Sequence, residues 1–222
     1  YKSALGMYET QTAIGMLKRI FENKLCSALN LKRVSAPLFV DPDTGLNDDL
    51  NGVERPVRFD IKETGKDAVV VHSLAKWKRM ALHTYKFSEG EGLYTDMNAI
   101  RRDEDMDNLH SIYTDQWDWE KIIRREDRNI EFLKKTVTSE VEAICATLDD
   151  LKAMYPEITL ELSRDVKFVT SQELYDMYPD KTPKERENLF LAENHTAFIM
   201  QIGGKLSSGE RHDGRAPDYD DW

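Results

Sequence analysis

Arg101, Gln116 and Asp118 are the side chains whose types and spacing best suit chemistry on a charged substrate. A guanidinium binds phosphate or carboxylate oxygens in two-point contact, and an amide and a carboxylate accept hydrogen bonds from an amine. Gln116 and Asp118 are two residues apart, so on a strand both point to one face. Phosphoryl and nucleotidyl transfer depend largely on such electrostatic positioning. A charged hairpin with a hydrated polar face is the simpler interpretation, and these three residues alone favour it.

Two strands and their connection must position these residues. Apolar residues alternate in Leu93–Ile100 and again in His110–Trp119, while the intervening Arg101–Asn108 is polar and acidic. This pattern predicts a strand, a loop and a returning strand. Arg101 is expected where the first strand enters the loop.

Composition limits the class of protein. The chain has 222 residues, of which 40% are hydrophobic, which supports one large domain or a domain with a small insertion. A net charge of −10 and no basic run disfavour a nucleic-acid partner. Cys26 and Cys145 fall in helical patterns and predict buried thiols of a reducing compartment. The sequence has no apolar run long enough for a bilayer and no signal-peptide pattern, so we expect a cytoplasmic protein without a membrane partner.

The N-terminal third predicts a helix, an edge strand and a hairpin. Apolar spacing of three and four predicts a helix over Thr12–Leu29. Leu31–Val40 has strand character, but Pro37 cannot donate to a ladder, so this strand is expected at an edge or an interface. Pro56–Ile61 and Ala68–Val71 predict a hairpin.

A helix is predicted from Leu74 to about Tyr85, with Ser73 as its N-cap. Three cations, Lys76, Lys78 and Arg79, stand in its first turns. Cations there oppose the helix macrodipole. Either a bound anion or solvation offsets this small penalty, with solvation as the default.

The rest of the chain predicts mostly helices. Apolar spacing predicts one long helix over Trp119–Met154 that Pro156 terminates. The later elements are two short strands, two helices capped by Ser171 and Thr182, and a final strand: Ile158–Leu162, Val166–Val169, Ser171–Tyr178, Pro183–Asn194 and Ala197–Ile202. Hairpins come early and helices late, which predicts an α+β fold with a mainly antiparallel sheet flanked by helices.

Four segments resemble the ammonia-dependent asparagine synthetases, the aspartate–ammonia ligases. They are VVHSLAKWKR (Val70–Arg79), GEGLYTDMNAIRRDED (Gly90–Asp105), LHSIYTDQWDWE (Leu109–Glu120) and IGGKLSSGERHDGRAPDYDDW (Ile202–Trp222). The resemblance runs from about Thr12 to Trp222. Segments of this length are far more specific than a short glycine-rich motif.

That family is similar to the catalytic core of class II aminoacyl-tRNA synthetases, which implies an antiparallel sheet flanked by helices. The resemblance implies one catalytic domain over residues 1–222. Thr12–Val40 looks like the class II dimer motif, so a homodimer is expected. The hairpin looks like the second motif, and the third motif is expected beyond Trp222.

The resemblance implies synthesis of L-asparagine from L-aspartate and ammonia. The β-carboxylate of aspartate attacks the α-phosphorus of Mg²⁺-bound ATP, giving β-aspartyl adenylate and pyrophosphate. Ammonia then attacks the activated carbonyl and releases AMP. The expected partners are therefore aspartate, ammonia and ATP with Mg²⁺.

The resemblance also implies residue roles. Arg101, Asp48 and Gln116 are the expected catalytic residues: Arg101 holds the α-phosphate and the reacting carboxylate, Asp48 holds ammonium and takes its proton, and Gln116 binds a carboxyl or phosphate oxygen. Aspartate is expected to bind Ser73 and Lys78, with Lys78 on the α-carboxylate, and Asp118 and Asp220 are the expected partners of its α-ammonium. Main-chain groups of Leu109, His110, Ser111 and Ile112 are expected to contact adenine.

Several of these residues also have a simpler structural interpretation. Arg101 could pair at the surface with Asp103 or Glu104, and Arg102 could face solvent or the outer phosphates. His72 is expected to be a core residue, because no second His or Cys stands at a metal-ligand spacing, and no metal ligand is predicted. For the whole chain, a fragment of an aspartate- or asparagine-type aminoacyl-tRNA synthetase and a non-catalytic amino-acid- or nucleotide-binding relative are the competing functions.

Overall fold

The computed structural model describes residues 3–47, 54–108 and 110–214. Its helices and strands occur in this order: α1 (Met7–Leu29), β1 (Leu31–Arg33), β2 (Phe39–Val40), β3 (Arg58–Ile61), β4 (Lys66–Val70), α2 (Ala75–Thr84), β5 (Gly92–Ile100), β6 (Tyr113–Lys121), α3 (Ile130–Met154), β7 (Lys167–Thr170), α4 (Ser171–Met177), α5 (Pro183–Glu193) and β8 (Ala197–Met200). Single 3₁₀ turns lie at Pro42–Thr44 and Arg125–Asp127.

The chain divides into two compact units. One is Asn30–Arg124, and the other combines the described parts of Tyr1–Leu29 and Arg125–Trp222. The predicted α+β class is confirmed. Pairing is mainly antiparallel, since β5 with β6, β2 with β4 and β3 with β4 are antiparallel, while β1 with β5 and β7 with β8 are parallel.

The predicted central hairpin is confirmed as β5 and β6, nine residues each, in a sheet of order β1-β5-β6. The second strand begins at Tyr113, three residues later than expected. Gly92 lets the three strands approach, because a Cβ at this position would stand 2.5 Å from both the Glu120 carbonyl oxygen and Leu31 Cδ2. Any side chain at position 92 would therefore force the strands apart.

The Asn30–Arg124 unit has its core where α2 covers the strands. Leu74, at the N-cap of α2, and Trp77 and Ala81 of α2 are buried with Leu93 and Met97 of β5. The predicted hairpin before α2 is confirmed as β3 and β4, and β2 adds to the other side of β4. This packing holds α2 against the strands that carry the candidate residues.

The expected strand over Leu31–Val40 is wrong in its continuity. Its two ends form β1 and β2, which belong to different sheets, and residues 34–38 lie in neither strand. Pro37 falls in this gap, where no ladder donor is required. The expected edge position holds for β2, which lies at the edge of the order β2-β4-β3.

In the other unit α1 packs against α3, and Lys24 of α1 makes a 2.9 Å ion pair with Asp150 of α3. The predicted helix over Trp119–Met154 is wrong at its start, because residues 119–121 pair with β5 instead. Asn129 caps α3 by accepting a 2.9 Å hydrogen bond from the Phe132 N–H. Its end at Met154, before Pro156, is as expected.

The last elements follow the sequence pattern with two corrections. Thr182 caps α5 as predicted, but Thr170 rather than Ser171 caps α4, in a reciprocal arrangement with Glu173. The expected strand Ile158–Leu162 is not formed, and Leu160 and Leu162 are exposed. Short apolar runs do not make strands without a partner to pair with.

Within the described residues, no helix combines the length and apolar character that a membrane span requires. Cys145 is buried and Cys26 is half-buried, and both are free thiols. Burial raises the pKa of each, so both resemble structural rather than reactive cysteines.

Candidate functional site

The face of the β5–β6 hairpin brings the predicted residues together. Thr95 pairs with Asp118 and Met97 pairs with Gln116, so the pleat directs all four side chains to one face. The ladder continues past the strand ends, because the Arg101 N–H donates to the Ile112 carbonyl over 2.7 Å. Arg101 is six residues beyond Thr95, or about 20 Å of extended chain. The face that α2 covers thus carries an acid near one end and a guanidinium at the other.

Lys78 and Asp118 form the best-defined contact on this face. The Lys78 side chain is only 4% exposed, and its Nζ donates to Asp118 Oδ1 and, over 3.1 Å, to the Trp119 carbonyl. Asp118 remains 24% exposed. The strand therefore supplies the anion that offsets a cation in the first turn of α2. Lys76, two residues earlier on the helix, is exposed.

Glu120 extends this charge cluster and was not among the predicted residues. Its Oε1 lies 3.7 Å from Lys78 Nζ and 3.8 Å from Arg79 Nε. Burial, with a smaller contribution from the neighbouring Asp118 carboxylate, raises the pKa of Glu120 against the opposing pull of these two cations. The sequence held one signal for it, since Glu120 is two residues from Asp118 on the same strand face.

Glu120→Gln should raise the melting temperature at neutral pH. A carboxyl whose folded pKa exceeds its unfolded pKa costs stability once it is ionised in both states. The gain should shrink as pH falls through the folded pKa and vanish below the unfolded value of about 4.3. Thermal melts of both proteins across this range test it, and a lower melting temperature at neutral pH would show that the ion pairs outweigh burial.

Ser73 lies at the start of α2, but not as its N-cap. Leu74 occupies that position without a side-chain cap, and Ser73 Oγ accepts a 3.3 Å hydrogen bond from the Ala75 N–H. The predicted cap is therefore displaced by one residue. Ser73 is half-buried and stands two residues before α2, while Lys78 lies within α2. The start of this helix therefore sets the positions of both candidate aspartate ligands.

Gln116 lies on β6 between Asp118 and the loop end of the hairpin, where Arg101 stands. Its Nε2 donates to Met97 Sδ at 3.2 Å, across the strand pair. A thioether is a weak acceptor, so little is lost when this amide turns to a better partner. Gln116 is partly exposed and can bind a substrate oxygen from this position.

Arg101 lines a cavity of about 150 Å³ at the loop end of the hairpin. The other lining residues are mostly charged: Glu54, Arg55, His72, Arg102, Asp103, Glu104 and Asp105. Within the described residues, the Arg101 guanidinium has no ion pair, and its buried Nε has no hydrogen-bond partner. The expected surface pairing with Asp103 or Glu104 is therefore absent. Arg102 is exposed and His72 is buried, as the bland interpretations predicted.

The structure describes part of the segment that was predicted to contact adenine, since Leu109 lies outside the described residues. Its main chain is already engaged: the Ile112 carbonyl accepts from Arg101, and the His110 N–H donates to Asp107 Oδ1 over 2.8 Å. Ser111 is exposed beside them. Asp48, Leu109 and Asp220 lie outside the described residues, so their predicted roles stay predictions.

No group of three or more His, Cys, Asp or Glu residues suited to a metal ion occurs in the described ranges. Glu104 and Asp105 nevertheless line the Arg101 cavity. Mg²⁺ in nucleotide sites takes one or two carboxylates and completes its shell with phosphate oxygens and water. These two residues fit an ion that arrives with a nucleotide.

Comparison with known proteins gives a consistent result. The aspartate–ammonia ligase family model matches residues 8–222. Aspartate–ammonia ligases from Clostridium perfringens and Ruminiclostridium cellulolyticum are 61% and 60% identical over 100% of this chain, and the one from Bacillus cereus is 55% identical. The chain spans 66% of the length of the first two and 68% of the third.

Among solved structures, an asparaginyl-tRNA synthetase from Entamoeba histolytica in complex with asparaginyl-adenylate is similar. The likeness has a TM-score of 0.58 at 13% identity and covers 90% of this chain and 45% of the synthetase. The same enzyme in another structure gives 0.57 over 88% of this chain. At this identity the likeness shows the fold alone, which is the expected class II synthetase core.

Proposed function

Because the chain belongs to the aspartate–ammonia ligase family, we propose that it makes L-asparagine from L-aspartate, ammonia and ATP. The proposed intermediate is β-aspartyl adenylate, and the products besides asparagine are AMP and pyrophosphate. One observation supports this most: a single strand face carries the Lys78–Asp118 pair and ends at an Arg101 guanidinium without an ion pair in the described residues. We propose that both compact units are parts of one class II-like catalytic domain.

The Lys78–Asp118 pair suits the α-amino acid end of aspartate. A zwitterion presents a carboxylate and an ammonium side by side, and an adjacent cation and anion match it with reversed signs. Lys78 would take the α-carboxylate, with Ser73, and Asp118 would take the α-ammonium, with Asp220. Before the substrate binds, the two side chains neutralise each other, which lowers the cost of keeping Lys78 buried.

Arg101 suits the reacting end. Its planar guanidinium can hold a non-bridging α-phosphate oxygen and the attacking β-carboxylate at once. An oxygen of that carboxylate forms a bond to the α-phosphorus, and the bond from this phosphorus to the β-phosphate oxygen breaks as pyrophosphate leaves. Glu104 and Asp105 would hold the Mg²⁺ that neutralises the phosphates, and main-chain groups of residues 109–112 would contact adenine.

The second step needs a neutral nucleophile. Asp48 would bind ammonium and accept one of its protons, which frees the nitrogen lone pair. That lone pair attacks the acyl carbon, the carbon–oxygen bond to AMP breaks, and the nitrogen loses a further proton to give the amide. Gln116 would hold a carboxyl or phosphate oxygen through both steps.

The full-length polypeptide should form AMP and asparagine from ATP, aspartate and ammonium, but not from glutamine. Cys26 and Cys145 lie within α1 and α3, and burial raises the pKa of both thiols, so neither is suited to release ammonia from glutamine. Product analysis in ammonia-free buffer with each nitrogen donor tests this. Glutamine-supported turnover there, or transfer of the activated amino acid to tRNA in place of ammonia, would contradict the proposal.

We also propose a cytoplasmic homodimer. Free thiols fit a reducing compartment. Three large apolar side chains are exposed within the expected interface segment Thr12–Val40, namely Ile14, Leu38 and Phe39, and Met7 and Tyr8 are exposed just before it on α1. Such exposure favours a partner surface, and a two-fold pairing is the commonest arrangement. Light scattering of the full-length polypeptide at micromolar concentration should give twice the monomer mass; a monomer would refute the dimer.

A further inference from the structure

The carboxylate of Asp103, two residues after Arg101 in the chain, is bound by a different arginine, Arg55. The Glu104 N–H donates to the Arg101 carbonyl over 3.1 Å, which closes a turn with Asp103 inside it. Asp103 Oδ2 accepts from both the main-chain N–H and the Nε of Arg55, each over 3.0 Å. Asp103 Oδ1 accepts from Nη2 of the same guanidinium. Arg55 thus engages both oxygens of Asp103.

Arg101 and Asp103 line the same cavity but make no ion pair in the described structure. An ionised carboxylate and a nucleotide phosphate compete for a guanidinium, because both bind it through two oxygens. In this structure the Arg55 side chain engages both oxygens of Asp103, so the carboxylate is occupied and does not reach Arg101.

We propose that Arg55 is a positioning residue that keeps Arg101 available to the nucleotide by occupying Asp103. This inference rests on the proposed function, in which Arg101 binds the α-phosphate. An ionised Asp103 side chain is stabilised by a cation in any orientation that it adopts. Arg55 supplies that cation from a segment outside the β5–β6 hairpin. Without Arg55, Arg101 and Arg102 are the cations nearest to Asp103 in sequence. An ion pair between Asp103 and Arg101 would then prevent Arg101 from binding the phosphate.

Arg55→Met should weaken binding of a non-hydrolysable ATP analogue about fivefold to tenfold. Apparent affinity falls in proportion to the fraction of molecules in which Arg101 is free, so capture in about 90% of them costs tenfold. Asp103→Asn, which removes the competitor, should stay within about twofold of wild type. Arg55→Met/Asp103→Asn should recover to that level, because no carboxylate is left to capture Arg101.

A purely structural tie predicts a different pattern. If the contact served only to hold the loop, then Asp103→Asn would be as weak as Arg55→Met, and the double variant would not recover. That result would overturn the inference. Arg58→Met and Asp67→Asn are matched controls, because they disrupt another exposed Arg–Asp pair of the same unit, 3.4 Å apart, and should not change nucleotide binding.

Calorimetry with the ATP analogue and aspartate-dependent ATP–pyrophosphate exchange should both be measured on the full-length polypeptide. The analogue titration tests the inference without requiring turnover. Absence of exchange in the wild type would refute the proposed function, whereas normal wild-type exchange with no loss in Arg55→Met would refute the role of Arg55 alone. Thermal melts identify any variant that fails to fold, and a folded Arg55→Lys, which keeps the cation, should lie between wild type and Arg55→Met.

Discussion

Arg101→Lys should slow adenylate formation by about 10²-fold or more, roughly 3 kcal/mol of transition-state stabilisation. Lysine keeps the charge but loses the planar fork that can bind phosphate and carboxylate together. The guanidinium makes no ion pair in the described structure, and its Nε is buried without a partner. Replacement therefore breaks no existing ion pair, and the loss should appear in the rate rather than in folding.

Pyrophosphate release in a single turnover gives this rate directly. Calorimetric titration with aspartate alone should change little, since the α-carboxylate and α-ammonium are assigned to Lys78 and Asp118 and Arg101 acts on the reacting carboxylate only with the phosphate. The neighbouring Arg102→Lys is the matched control, because Arg102 is exposed and should cost far less. A wild-type rate in Arg101→Lys, or a loss of folding instead, would return Arg101 to a structural role.

Lys78→Met should abolish measurable aspartate binding, with a loss of about 10²-fold or more. The variant removes the only charge assigned to the α-carboxylate and leaves Asp118 and Glu120 without the cation between them. Breaking a buried ion pair costs about 3–5 kcal/mol of stability. Asp118 is 24% exposed, so water partly replaces the lost partner and a cost of about 2 kcal/mol is expected.

Two further measurements separate binding from stability. Lys76→Met, on the exposed side of the same helix, should match wild type in aspartate affinity. Asp118→Asn keeps Lys78 bonded to the Trp119 carbonyl, so it should lose aspartate affinity with a smaller stability cost than Lys78→Met. If Lys78→Met folds and binds aspartate normally, Lys78 serves only the core and the proposed zwitterion site is wrong.

Local sequence patterns determined most of the secondary structure of this protein. Alternation predicted β5, β6 and the shared face of Gln116 and Asp118, and spacing of three and four predicted α1 and most of α3. Thr182 capped α5 as expected because a cap depends on residues within one turn. The resemblance to the ligase family, read from long segments, agrees with the family match and with the class II fold.

Tertiary structure decided what depends on residues distant in sequence. Residues 119–121 carry a spacing that fits α3, yet the β5 ladder draws them into a strand. Ile158–Leu162 is apolar enough for a strand, but it has no strand partner in the described structure.

The same distance dependence shaped the candidate site. Lys78 meets Asp118 across 40 residues, and Arg55 meets Asp103 across 48. An ion pair has no sequence period, because any cation can neutralise any anion that the fold brings near it. For this reason the sequence could name Arg101 and Asp103 as a possible pair, while only the fold decided that Arg55 holds Asp103 and leaves Arg101 open.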